Sequence, residues 1–160
     1  MREDVRAAAV VTVSDRAARG DREDETGPRL VDALESAGWR VRPFLVPDGA
    51  EPVEAAIREA LAEGARLVLT TGGTGVGPRD ETPEGTRHLL DRELPGLAEE
   101  LRRRGIASTP TAVLSRGLAG VSGRALVVNL PGSPAGAVSG AAFVLTLADH
   151  VLAQLEGGDH

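Results

Sequence analysis

The sequence predicts an α/β protein of the three-layer αβα type, built around a mostly parallel, doubly wound sheet. Short apolar runs typical of buried strands alternate along the chain with longer segments that carry apolar residues at helical spacing. Glycine or proline lies at most of the junctions between them. In folds of this kind ligands bind in the loops that follow the carboxyl ends of the strands, so the functional residues are expected there.

The first half of the chain predicts three strands and two helices. Apolar runs rich in valine and leucine predict strands at residues 7–14, 40–46 and 67–71. Apolar residues at helical spacing predict helices at residues 27–37 and 51–63. Gly38 and Gly64 end these helices.

The second half adds three helices, an extended segment and a strand. Thr82 and Pro83 form a helix start, with Thr82 expected as the N-cap. The helices are expected at residues 82–93, 95–104 and 135–155, the extended segment at 112–115 and the strand at 124–130. The last helix is apolar on several sides, so it is either deeply packed or part of a subunit interface.

Composition limits the chemistry available to the chain. Its 160 residues suit a single domain with a core of about residues 5–156. It has no cysteine, and all 18 of its Lys+Arg residues are arginine, which excludes thiolate and lysine chemistry. The net charge of −6 argues against a nucleic-acid partner. No apolar run is expected to approach a membrane span, the N-terminus is not expected to be a signal peptide, and a cytoplasmic location is the default expectation.

The most informative segment is LVLTTGGTGVGPRDETP, residues 67–83. A predicted strand is followed by four glycines at positions 72, 73, 75 and 77, and then by Arg79, Asp80 and Glu81. Glycine lets the backbone approach a ligand closely, and exposed amides in such a turn suit phosphate oxygens. The adjacent carboxylates suit the metal ion that accompanies phosphates. The segment therefore predicts a phosphate-and-metal site.

Other loops allow simpler interpretations as well. Asp48 before Gly49 is an ordinary turn residue, Asp80 could cap a helix, and Ser115 could be a buried hydroxyl without chemical function. The arginines at 102–104 suit a helix C-terminus through the helix dipole. The three histidines share no metal-ligand spacing. Residues 16–25 are expected to be the most flexible segment, which could fold over a ligand.

Five motifs in order resemble one known family. They are VTVSDR at residues 11–16, VPDG at 46–49, TTGGTGVGPRDETPE at 70–84, PTAVLSRG at 110–117 and NLPGSP at 129–134. Together they resemble the molybdopterin-binding domain family, the MogA/MoaB-type molybdenum cofactor biosynthesis proteins, over residues 5–158. One departure is Glu81, which stands where the family usually has an apolar residue, and an exposed position is expected for it.

The resemblance implies a Mg²⁺-dependent molybdopterin adenylyltransferase. In this reaction the terminal phosphate of molybdopterin attacks the α-phosphate of ATP, and adenylyl-molybdopterin and pyrophosphate are formed. The resemblance also implies a homo-oligomer, either a trimer or a hexamer made of two trimers. A molybdenum-inserting MoeA-type protein is the expected partner, and neither nucleic acid nor a membrane is expected as one.

The resemblance also implies roles for individual residues. The catalytic residues would be Asp48, Asp80 and Ser115, with Asp80 holding Mg²⁺ and Asp48 orienting the metal or the attacking phosphate. The nucleotide and phosphate groups would contact Gly72, Gly73, Thr74, Gly75, Arg79, Pro131, Gly132 and Ser133. The pterin would contact Ser14, Asp15, Arg16, Ser115, Arg116 and Asn129.

Two other functions stay open at this point. A MoaB-like protein could bind molybdopterin or act as a scaffold without turnover, although the retained aspartates argue against this. A nucleotide pyrophosphatase like that of the competence-damage family would share the fold. The TGGTG motif and the expectation of a single domain argue against that function.

Overall fold

A six-stranded mixed sheet lies between two layers of helices in the computed structural model, which describes residues 6–158. The strands are β1 (Ala7–Val13), β2 (Arg40–Val46), β3 (Leu67–Thr71), β4 (Arg92–Glu93), β5 (Ala119–Ser122) and β6 (Ala125–Leu130). Their order is β2-β1-β3-β6-β5-β4. The first four strands in this order, β2, β1, β3 and β6, are parallel to one another. Strand β5 is antiparallel to both of its neighbours. The predicted three-layer αβα fold is confirmed.

The helices cover both faces of this sheet. They are α1 (Asp15–Ala18), α2 (Thr26–Ser36), α3 (Ala50–Ala62), α4 (Thr82–Arg87), α5 (Pro95–Ile106) and α6 (Pro134–Leu155), with a 3₁₀ helix at Pro110–Leu114. Successive strand residues point to opposite faces. Val10 therefore packs with α2, α5 and α6, while Val11 packs with α3. This alternation explains why the central strands are apolar throughout.

The region around β4 and β5 differs from the prediction. The helix expected at residues 82–93 ends at Arg87, and Arg92 pairs with Val121 across an antiparallel ladder. Strand β5 was not predicted, and residues 112–115, expected to be extended, lie mostly in the 3₁₀ helix. Such short elements depend on pairing with distant parts of the chain rather than on their own sequence.

Helix α6 is a core helix of this fold. By length and composition it could cross a membrane, contrary to the expectation that no apolar run approaches a span. In the structure its buried stripe packs on the sheet, as one of the two predicted alternatives required. Gly140 allows close approach, because a Cβ there would lie 2.9 Å from the Leu130 side chain.

The segment at residues 16–25, expected to be the most flexible, has local order at both ends. Its first residues belong to α1, which Ser14 caps by accepting a hydrogen bond from the Ala17 amide at 3.2 Å. At the other end, Asp24 accepts a hydrogen bond from the Gly27 amide at 2.9 Å. This contact from the Asp24 side chain therefore stabilises the first turn of helix α2.

Candidate functional site

The carboxyl ends of the four parallel strands meet at one edge of the sheet, and the predicted site residues follow them. Ser14 to Arg16 follow β1, Asp48 follows β2, residues 72–80 follow β3, and Pro131 to Ser133 follow β6. Parallel pairing of these strands brings together loops that are far apart in the sequence.

Three of these residues form what we call the Asp15–Arg79 cluster: Asp15, Asp48 and Arg79. Arg79 donates from Nε and Nη2 to the two oxygens of the Asp15 carboxylate, each at 3.1 Å. It also donates to the Asp48 carbonyl at 3.0 Å. The Asp15 amide donates to Asp48 Oδ2 at 2.9 Å, and the Asp48 amide donates to Asp15 Oδ1 at 3.1 Å. The Arg79 guanidinium holds the pKa of the Asp15 carboxyl below its usual range.

The glycine loop, residues 72–80, requires glycine at its first two positions. Gly72 and Gly73 have φ values of 95° and 68°, which strain any residue with a side chain. A Cβ on Gly72 would lie 2.4 Å from the Val13 carbonyl, and one on Gly73 would lie 2.3 Å from Thr82 Oγ1. The strand therefore turns directly into the loop, with the backbone closely packed against its neighbours.

Consecutive amides in this loop have no hydrogen-bond partner among the described residues. Across residues 6–158, no carbonyl or side-chain acceptor takes a hydrogen bond from the amides of Gly73, Thr74 or Gly75. Successive unpaired amides in a glycine-rich turn form a concave site for anions. The loop thus has the donors that a phosphate group needs.

Asp80 and Arg116 shape the far side of the loop. The Asp80 carboxylate accepts from the Gly77 amide at 2.9 Å, and a Cβ on Gly75 or Gly77 would approach Asp80 Oδ2 to 2.9 Å. Arg116 donates to the carbonyls of Gly75 at 2.8 Å and Asp80 at 2.7 Å. It also forms an ion pair with Glu84 that holds the Glu84 pKa below its usual range. Arg116 therefore divides its side-chain donors between two loop carbonyls and the Glu84 carboxylate.

A cavity of about 580 Å³ opens beside the loop, and we call it the side cavity. Six of the residues assigned from the sequence line it: Thr74, Gly75, Ser115, Asn129, Pro131 and Ser133. Its other walls come from α5, the 3₁₀ segment and the start of α6. The glycine loop therefore contributes to both the side cavity and the Asp15–Arg79 cluster. Thr74 and Gly75 line the cavity, and Arg79 belongs to the cluster.

The N-terminus of α6 forms part of the cavity wall. Ser133 caps this helix by accepting from the Gly136 amide at 3.3 Å, and Ala135 and Gly136 line the cavity. The positive end of a 22-residue helix favours a negatively charged group at this wall. Ser115 also lines the cavity, and its Oγ accepts from the Gly117 amide at 3.2 Å.

The two aspartates assigned to Mg²⁺ each keep one oxygen without a hydrogen bond among the described residues. Asp48 uses Oδ2 for the Asp15 amide, and Asp80 uses Oδ2 for the Gly77 amide. No group of three or more His, Asp or Glu suited to a metal occurs within residues 6–158. Magnesium is commonly held by one or two carboxylates, with phosphate oxygens and water completing its shell. The donor set therefore fits Mg²⁺ delivered with a nucleotide.

Some side chains act differently from their sequence-based interpretation. Arg102, assigned to the helix dipole, lines the side cavity and donates to the Gly117 carbonyl at 2.9 Å. The sequence signal available for this role was the position of Arg102 beside the stripe of Ala98, Leu101 and Gly105 on α5. Glu81 is exposed as expected, and its carboxylate accepts from the Ala50 amide at 2.9 Å at the start of α3.

Thr82 does not cap α4. It is the first residue of the helix, and its hydroxyl donates to the Gly72 carbonyl at 2.9 Å. Asp80 does not cap α4 either, since its carboxylate turns back to Gly77. The remaining assigned residues lie at the mouth of the strand edge, with Arg16 exposed in α1 and Gly132 exposed before α6.

The fold is that of an α/β protein with a doubly wound sheet. The glycine loop lies at the carboxyl ends of its parallel strands, and its amides without partners among the described residues suit phosphate groups. A family model described as "Probable molybdopterin binding domain" matches residues 9–150. The chain belongs to this family, which confirms the resemblance seen in the five motifs.

Known proteins from several organisms are similar to this chain. It is 43% identical over 131 residues to the molybdopterin adenylyltransferase of Haemophilus influenzae, covering 78% of this chain and 66% of that protein. It is 41% identical over 154 residues to the molybdenum cofactor biosynthesis bifunctional protein of Synechococcus elongatus, covering 96% of this chain. The chain spans 48% of the length of that bifunctional protein.

A solved structure agrees with the fold. The molybdopterin biosynthesis enzyme MoaB from Thermus thermophilus superposes with a TM-score of 0.85 and 47% sequence identity. The match covers 94% of this chain and 96% of that one.

Proposed function

We propose that this protein is a molybdopterin adenylyltransferase. An oxygen of the molybdopterin terminal phosphate forms a bond to the α-phosphorus of ATP. The bond from that phosphorus to the oxygen bridging the α- and β-phosphates breaks, and pyrophosphate leaves. The observation that carries the proposal is the run of amides at residues 73–75 that have no partner among the described residues, two of which, at Thr74 and Gly75, line the side cavity. Relatives with this activity in their names support it.

The residues divide this work by location. The amides of Gly73, Thr74 and Gly75 bind ATP phosphate oxygens, as the resemblance implied for this loop. The side cavity lies within the volume range of about 300–1,000 Å³ usual for organic ligands, and we assign the pterin to it. Ser115 and the positive end of α6, which both line the cavity, then bind the pterin phosphate. Arg79 is available to phosphate when it exchanges its Asp15 partner.

We assign Mg²⁺ to Asp80 and Asp48, each of which offers one oxygen. When bound, the ion neutralises charge on the phosphate oxygens. The remaining chemistry is positioning and electrostatic stabilisation, which nucleotidyl transfer requires more than covalent assistance. Arginines and backbone amides can supply both, so the absence of lysine from the sequence is no obstacle.

The exposed apolar residues around the cavity support a homo-oligomer. Val76 is 74% exposed and Leu114 is 53% exposed, and both line the side cavity. Val113 is 59% exposed beside them. An apolar surface of this kind favours a partner chain, and we propose a trimer or hexamer in which a second copy covers it. In the cytoplasm the product would pass to a molybdenum-inserting MoeA-type protein.

The transfer is tested directly with ATP labelled on its α-phosphate. Incubation with Mg²⁺ and molybdopterin should move the label onto the pterin. Label that stays on ATP, with molybdopterin bound in calorimetry, would replace the proposal with a binding protein that lacks turnover. Hydrolysis of ADP-ribose without any transfer would identify a pyrophosphatase instead.

A further inference from the structure

A chain of buried hydrogen bonds runs beneath the site and contains two residues to which no role was assigned above. Thr82 and Thr86 of α4 are both 0% exposed. The Thr86 hydroxyl donates to the Thr82 carbonyl at 2.8 Å, and the Thr82 hydroxyl donates to the Gly72 carbonyl at 2.9 Å. Helix α4 is thereby tied to the first residue of the glycine loop.

Asn129 continues this chain to the opposite wall. Its amide nitrogen donates to Thr86 Oγ1 at 3.1 Å and to Thr70 Oγ1 at 2.9 Å. Its Oδ1 accepts from the Leu118 amide at 3.0 Å. The Asn129 side chain thus uses both of its N–H donors inside the protein, and it holds the segment that follows Ser115.

This series of hydrogen bonds joins the glycine loop to the segment that follows Ser115. Its buried groups have few alternative partners. Each hydroxyl accepts or donates within a buried region, where an unpaired polar group is costly. The Thr86 hydroxyl is the central link, because it accepts from Asn129 on the Ser115 side and donates to Thr82 on the loop side. Removing that one oxygen breaks this buried link, while Arg116 still donates from its amide to the Thr74 carbonyl and from Nε to the Gly75 carbonyl, each at 2.8 Å.

We propose that Thr86 is a positioning residue that sets the spacing between the glycine loop and the Ser115 segment. Asn129 acts in the same way, through Thr86, rather than through contact with the pterin. The inference rests on the proposed adenylyl transfer, for which a fixed distance between the nucleotide phosphates and the attacking phosphate is decisive, since a misplacement of about 1 Å can cost about 100-fold in rate.

The test compares Thr86→Val, which keeps the shape and removes the hydroxyl, with Thr86→Ser, which keeps the hydroxyl. Thr86→Val should lower kcat for pyrophosphate release at least about tenfold with a smaller change in KM. Thr86→Ser should restore most of the rate. Ile57→Val, a fully buried change in α3 that removes a methylene and no hydrogen bond, serves as the control for loss of stability and should leave kcat unchanged.

Outcomes for the reaction and for the positioning are separable. Amide hydrogen exchange of Gly72 and Thr82, whose amides donate to the Leu130 and Gly73 carbonyls, should accelerate in Thr86→Val and stay at the parent rate in Ile57→Val, whether or not the protein releases pyrophosphate. Should Thr86→Val fail to fold, Thr70→Val leaves one Asn129 N–H without its acceptor and should show the same changes to a smaller degree. An unchanged kcat and unchanged loop exchange, or a Thr86→Ser variant as slow as Thr86→Val, would overturn the inference.

Discussion

Replacing Gly72 with alanine separates the backbone requirement of the glycine loop from its close packing. Gly72 has a φ of 95°, and Gly64, at the end of α3, has a φ of 93°. An alanine at either position therefore incurs a similar backbone cost, roughly 1–2 kcal/mol for a left-handed conformation. The surroundings differ, since a Cβ at 64 meets nothing within 4 Å, whereas a Cβ at 72 would lie 2.4 Å from the Val13 carbonyl.

The clash at residue 72 is between a Cβ, whose position the backbone fixes, and the backbone carbonyl oxygen of Val13. No flexible side chain can move to relieve it. Overpacking of this kind costs about 1–3 kcal/mol. We therefore expect Gly72→Ala to lose about 2–5 kcal/mol in the free energy of unfolding and Gly64→Ala about 1–2 kcal/mol. The loop must also shift away from β1, so Gly72→Ala should lose pyrophosphate release while Gly64→Ala retains it.

Urea denaturation at one fixed protein concentration measures both losses, and the fixed concentration matters because oligomers gain stability by mass action. Equal losses for the two variants would refute the argument that the loop is packed against the Val13 carbonyl. A Gly72→Ala protein with full activity would refute the argument that this packing positions the site.

Three further predictions concern the metal, a surface ion pair and the core. Asp80→Asn keeps an acceptor for the Gly77 amide but loses the charge, so its rate of pyrophosphate release should fall about 10²–10³-fold with an unchanged melting temperature. Arg103 lowers the pKa of Glu100 from 4.5 to about 2, and this stabilisation is lost as pH falls through that range. The difference in melting temperature between the parent and Glu100→Gln should therefore be present above pH 4.5 and vanish near pH 2. Leu126, which is fully buried, should cost about 2–5 kcal/mol when replaced with alanine, as measured by urea denaturation.

The central strands could be predicted from the sequence because their information is local. Strand β3 begins and ends at the predicted residues, 67–71, since a continuous apolar run leaves few alternatives. The edge strand β2 also matches its predicted residues, 40–46, although it is largely exposed and contains two arginines. Strands β4 and β5 were missed because two and four residues carry no periodic signal. Their extended form comes from antiparallel pairing between Arg92 and Val121.

The features of the site also divide into those with a local signal in the sequence and those that depend on distant contacts. The glycine loop and its Asp80 were recognisable, because glycine and carboxylate in that order have a direct chemical interpretation. The pairing of Asp15 with Arg79 links residues 64 positions apart, and the buried chain through Thr86 links residues 43 positions apart. Contacts of that range depend on how strands and helices pack, and no short pattern in the sequence encodes them.

The most direct test of the account is release of pyrophosphate by the purified protein supplied with molybdopterin, ATP and Mg²⁺. We expect release that requires all three components, with one pyrophosphate formed for each adenylyl group found on the pterin. Omission of molybdopterin should stop it. Absence of release in the complete mixture, from protein shown to be folded and to bind molybdopterin, would contradict the assignment of this site to adenylyl transfer.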